Sequence, residues 1–108
     1  MNAPIHRIRL REPWIRTEAP GELVLYRRFG RPSHLEETQT VWIVISDMSG
    51  VIEVRCNDRS LPIDQSSWNI TERLDDRNII EVKLHRSQDP AAILNEVVLE
   101  IRSLLTSE

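Results

Sequence analysis

Cysteine occurs once in this chain of 108 residues, at Cys56. No internal disulfide can form, and a lone thiol fits a reducing compartment better than a disulfide-stapled secreted scaffold. Glycine occurs only three times. No G-x-G-x-x-G, P-loop or G-x-S-x-G pattern is present, which removes the commonest phosphate-cradling and nucleophile-elbow signatures. Aromatic residues make up 5% of the chain, few for the stacking platforms that bind single-stranded nucleic acid. No apolar run approaches the ~18 residues of a membrane span. The basic start at His6, Arg7 and Arg9 is not followed by the apolar segment of a secretory signal. The expectation is a cytoplasmic chain with no membrane association. Lysine also occurs once, against thirteen arginines. That bias suits phosphate or carboxylate recognition, but a GC-rich genome produces it equally.

What is present has the balance of an ordinary folded domain. Hydrophobic residues make up 40% and charged residues 29%. A single domain over 1–108 is expected, with 1–4 and 103–108 frayed. A chain of this size buries roughly 65% of its unfolded surface, enough for one core between two layers. Charge is unevenly spread along it. Residues 1–31 hold seven arginines and three acids; the remaining 77 residues hold seven bases and fourteen acids.

Period-two alternation dominates the pattern. Ile5 to Leu10 places Ile8 and Leu10 on one face and Arg7, Arg9 and Arg11 on the other. Pro13-Trp14 interrupts this strand. Ala19-Pro20-Gly21 turns the chain into Glu22 to Phe29, and Gly30 to Ser33 turns it again. Val41 to Ser46 is the clearest strand: Val41, Ile43 and Ile45 share one face, Trp42 and Val44 the other. Val51 to Cys56 alternates next. A short Leu61-Pro62-Ile63 segment suits an edge, and Ser66 to Thr71 and Asn78 to His85 follow. Toward the carboxyl end two readings compete. Ile93, Leu94, Val97, Val98, Ile101, Leu104 and Leu105 fit helical spacing, with Asp89-Pro90 as amino-terminal cap. A strand from Glu96 to Arg102 would instead place Val97, Leu99 and Ile101 on one face.

Several short segments, taken in order, resemble the sugar-binding jelly-roll domain of glycoside hydrolase family 2 enzymes. Leu25-Tyr26-Arg27-Arg28-Phe29 resembles the family's early Y-R-R-x-F strand. Val41 to Met48 is similar to the strand that ends in F-E-G-V. Glu53 to Asp58 resembles E-V-x-L-N-G, Trp68 to Leu74 resembles F-D-V-T-D-L-L, and Asp76 to Val82 resembles G-E-N-x-L-x-V. Asn95 to Ile101 is similar to the closing G-E-V-x-L-E-I strand, which favours strand over helix there. Physical sense supports two of these segments. Asn57-Asp58 can form the two-residue hairpin turn that needs positive φ at both positions, at more cost than glycine would impose. Asn69 can accept a local backbone hydrogen bond and start the turn into Leu74, which also accounts for the sequon-like Asn69-Ile70-Thr71.

The resemblance implies an all-β fold: a jelly-roll β-sandwich of about eight strands, galactose-binding-domain-like. The expected core is Ile8, Leu10, Leu23, Leu25, Val41, Ile43, Ile45, Val54, Cys56, Trp68, Ile70, Leu74, Ile80, Val82, Leu84, Leu99 and Ile101. The family's glycine-rich loop after the hairpin is reduced here to Arg59 to Ser67. Its catalytic barrel, which carries the two catalytic glutamates, has no counterpart in this sequence. The implied role is a non-catalytic, carbohydrate-binding-like module; the alternative is a protein-interaction or assembly domain that binds no sugar.

Chemistry read from the residues leads the same way. Glu36-Glu37 and Asp75-Asp76 are paired carboxylates, but both fall in loop-like segments where acids are solvated. His6, His34, His85 and Cys56 lack metal-ligand spacing, and no cofactor motif is present. Cys56, alternating with Val54, reads as a small core residue. Ligand-binding candidates are Trp42, Trp14, Arg59 and Asp64, because sugars are held by aromatic rings beside Asp, Asn and Arg. Trp42 is expected on an outer face beside Val44, where it could also meet a protein partner. Nucleic acid is disfavoured despite Arg7, Arg9, Arg11, Arg27 and Arg28, since the net charge is −3.

Overall fold

Two antiparallel sheets pack face to face in the computed structural model, which describes residues 2–11, 13–86 and 89–104, the side chains of 2–5 and 104 excepted. The strands are β1 (Asn2–Arg9), β2 (Ile15–Ala19), β3 (Glu22–Gly30), β4 (Gln39–Ile45), β5 (Val51–Cys56), β6 (Arg59–Leu61), β7 (Ser67–Asn69), β8 (Arg77–His85) and β9 (Val97–Leu104). A four-stranded sheet has the order β1-β9-β4-β7, and a five-stranded sheet the order β2-β3-β8-β5-β6. The fold is an all-β sandwich. No helix among the described residues is long and apolar enough to cross a membrane.

The alternation that marks the strands also builds the core. In β4, Val41, Ile43 and Ile45 are fully buried while Trp42 and Val44 face outward. Val97, Leu99 and Ile101 of β9 lie opposite them in register. The facing sheet contributes Leu25, Val54, Cys56, Ile80, Val82 and Leu84 to the same cluster. Each fully buried aliphatic side chain contributes about 1.5–3 kcal/mol relative to leaving it exposed. Of the expected core, Ile8 and Leu23 are only partly buried against this cluster; Trp14, Phe29, Leu61, Ile93, Leu94 and Val97 join it.

Element boundaries differ in places from the sequence expectations. Among the described residues there are nine strands where about eight were expected, the additional one being β2, whose five residues are mostly exposed and carry no alternation. The short segment expected at Leu61 to Ile63 is instead β6, ending at Leu61. Backbone pairing also reaches into segments expected to fray, with Asn2 opposite Leu104 and Pro4 opposite Arg102. Met1 and residues 105–108 lie outside the described residues. The carboxyl-terminal ambiguity resolves into both elements. A single helical turn, α1 (Pro90–Leu94), is capped by Asp89, whose carboxylate accepts from the Ala91 N–H at 3.1 Å. The chain then enters β9, which lies between β1 and β4 and pairs with both.

A polar knot fixes one end of the five-stranded sheet. Asn57 and Asp58 both have positive φ, at 51° and 66°, as a two-residue hairpin with right-handed strand twist requires. The Asn57 side-chain amide donates to Asn78 Oδ1 at 2.8 Å and to the Arg73 carbonyl at 3.1 Å, and its oxygen accepts from the Ile79 N–H at 2.9 Å. Asn78, 1% exposed, also accepts from the Asp75 N–H and donates to the Asp75 carbonyl. A buried amide satisfied on both sides is rigid and expensive to disturb. This knot holds the β5–β6 turn against the start of β8.

Candidate ligand-binding site

Above that knot, on the outer face of the five-stranded sheet, lies a shallow cleft of about 330 Å³. Register builds it. Tyr26 of β3 stands opposite Glu81 of β8, which stands opposite Arg55 of β5. Their side chains share the outer face because Leu25, Val82 and Val54 occupy the inner one. Asp58 from the hairpin turn, Asp75, Arg77 and the 42%-exposed Ile79 complete the wall. Tyr26 and Ile79 thus supply apolar surface, with charged groups of both signs around it.

Electrostatics tie part of the cleft down. Partial burial pushes the Tyr26 hydroxyl pKa up, and the adjacent Glu81 carboxylate adds to the effect. Arg55 lies 3.9 Å from Glu81 through Nη1 and donates through Nη2 to the Asp58 carbonyl at 3.0 Å. The carboxylates of Asp58 and Asp75 and the guanidinium of Arg77 form no ion pair among the described residues. Those three groups are free to meet hydroxyls.

The four residues singled out from the sequence lie elsewhere and do not converge. Trp42 faces outward on the four-stranded sheet, as its parity predicts, and is half-buried. Its indole N–H donates to Thr40 Oγ1 at 3.0 Å, and the Arg102 guanidinium covers one ring face at 4.1 Å from the centroid. Arg59 lines a separate hollow with Asn69 and Thr71; Asn69 stands opposite Trp42 in the β4–β7 ladder. Trp14 is 6% exposed and donates to the Leu10 carbonyl at 3.0 Å, so it serves as a core residue whose edge reaches a hollow near Arg11. Asp64 is exposed on the β6–β7 connection.

Beside Trp42 lies a feature that pattern reading missed. Glu100, on the outer face, is only 2% exposed. Its carboxylate is clasped by Arg7 at 2.7 Å and by Arg102 at 2.8 Å. Glutamate on the polar side of a strand reads as solvated. Only the register of the folded sheet, which sets Glu100 between Arg7 and Trp42, brings these groups together.

Other chemistry is confined to the interior. Burial pushes the Cys56 thiol up to about 11, which suppresses the thiolate needed of a nucleophile. Among the described residues, no three His, Cys, Asp or Glu side chains converge as metal ligands. No family model matches this chain, and no curated protein or solved structure is similar to it at a significant level.

Proposed function

We propose that this chain is a non-catalytic, carbohydrate-binding-like module whose ligand sits in the Tyr26 cleft. The observation that carries the reading is one half-exposed aromatic ring beside uncommitted Asp58, Asp75 and Arg77 in a shallow hollow. A sugar ring has an apolar C–H face and an equatorial belt of hydroxyls. Tyr26 and Ile79 offer surface to the first; carboxylates and a guanidinium offer acceptors and donors to the second. The rigid ladder beneath means that little ordering is required on binding.

The resemblance to the accessory domain of family 2 glycosidases supports the same reading. Its ordered segments coincide with β3, β4, β5, β7, β8 and β9, and a galactose-binding-like jelly roll is the architecture we infer from them. Calorimetric titration with neutral and acidic oligosaccharides tests the proposal. Tyr26→Ala should abolish measurable binding while the folded amide spectrum persists. Unchanged affinity in Tyr26→Ala would reject the site.

A second reading, a protein-interaction domain without sugar binding, is favoured by the half-buried Trp42, Val44 and Val98 on the opposite outer face. Self-association lost on Trp42→Ala, with no sugar bound by the parent chain, would favour that reading instead.

A further inference from the structure

The first strand is an edge with unused capacity. Among the described residues, β1 pairs on one side only, with β9. The Leu10 N–H donates to the Val97 carbonyl at 3.0 Å, which makes those two a hydrogen-bonded pair. Alternation along an antiparallel ladder then gives Ile8 and Leu99 the next such pair. It turns the backbone N–H and C=O of Arg7 and Arg9 away from β9, out of the sheet edge.

The same two residues carry exposed guanidinium groups. Arg7 touches Glu100 yet keeps 67% of its side chain exposed. Arg9 and Arg11 form no ion pair among the described residues. Hollows of about 690 and 300 Å³ meet at Arg9, Asn95 and Glu96, and the larger runs on to Arg11 and Trp14. Among the described residues, Glu96 is the one uncommitted acid lining them, against three arginines.

We propose that the β1 edge from Arg7 to Arg11 docks an acidic, extended polypeptide segment, which adds to the four-stranded sheet as a further strand. Same-face residues of any strand repeat at about 6.6–6.8 Å. Carboxylates at alternate positions of the incoming segment therefore match Arg7 and Arg9, where bidentate pairing is available. The residue between them faces the half-buried Ile8 at the rim of the core, so it is apolar. The motif is acidic, apolar, acidic. A second copy of β1 would set arginine against arginine, which destabilises a strand pair. Pro4 has no N–H to offer, and the register shifts between Pro4 and His6. The added ladder is accordingly short, about four or five residues.

The test titrates isotope-labelled full chain with a capped Thr-Glu-Val-Glu-Val-Thr peptide. Saturable shifts and slowed hydrogen exchange are expected at the Arg7 and Arg9 amides. Arg9→Glu, at an exposed position, should weaken binding about tenfold or more, as should raised salt. N-methylating the peptide amides that face β1 keeps its charge and should abolish binding. The proposal is overturned by no shifts at millimolar peptide, or by undiminished binding of the N-methylated peptide. It is equally overturned if an oligothymidylate of equal charge binds this edge more tightly.

Discussion

On the outer face of the five-stranded sheet, Lys83 stands 3.8 Å from Glu22 and 3.4 Å from Glu53, and Arg55 stands 3.9 Å from Glu81. All five side chains keep between 17% and 36% of their surface in water. On the outer face of the four-stranded sheet, one carboxylate, Glu100, keeps 3%. Two arginines clasp it, and a tryptophan backs one of them. Both faces are charged, but only the second has given up its solvent. Water on the first face keeps its pairs weak and its groups available to ligands. Desolvation on the second makes each partner necessary and commits Trp42 and Arg102 to each other.

The largest predicted effect follows from that desolvation. Arg102→Met should destabilise the fold by about 2–4 kcal/mol, because it strips a buried carboxylate of one partner and bares the Trp42 ring. Urea denaturation measures it, and a loss below ~1 kcal/mol would break the contrast between the faces.

The inner face provides the next test. The Cys56 thiol is held protonated up to about pH 11, above its ordinary value of 9.0. Its raised folded-state pKa means that the associated stability is complete below pH 9 and is lost as pH rises through 11. The loss should reach at most about 2–3 kcal/mol. Cys56→Val should remove this alkaline decline in thermal melts recorded across that window.

Asp58→Gly probes the cleft and the turn together. With φ at 66°, glycine relieves backbone cost and should stabilise by about 0.5–1 kcal/mol. Sugar affinity should fall at the same time, since a free carboxylate leaves the cleft. The smallest effect belongs to the solvated face: Lys83→Met should change stability by less than about 1 kcal/mol, less still in high salt.

Much of the sandwich was legible because β4 and β8 alternate, as β5 does beyond its register shift between Val51 and Glu53, and one-sided burial enforces that alternation. β2 was illegible for the opposite reason: Ile15 to Glu18 is exposed on an edge and has no face to mark. At the carboxyl end, Ile93 and Leu94 belong to one helical turn, while Val97, Leu99 and Ile101 belong to a strand. Laid end to end they imitate a helical period, and only the Asp89-Pro90 cap was a local truth. The candidate cleft could not be read locally at all. Tyr26, Arg55, Asp75 and Ile79 come together through long-range register, although the outward parity of Tyr26 beside Leu25 was visible. Trp14 and Trp42 drew attention as sugar platforms, yet Trp14 fills the core beside the expected Trp68, and Trp42 is capped.

Backbone amide mapping of an oligosaccharide titration tests the central claim most directly, because both outer faces report in one spectrum. The account predicts saturable shifts at Tyr26, Arg55, Asp58, Arg77 and Ile79, with Trp42, Val44 and Glu100 unmoved. Shifts centred on Trp42, or none at millimolar sugar, would contradict it.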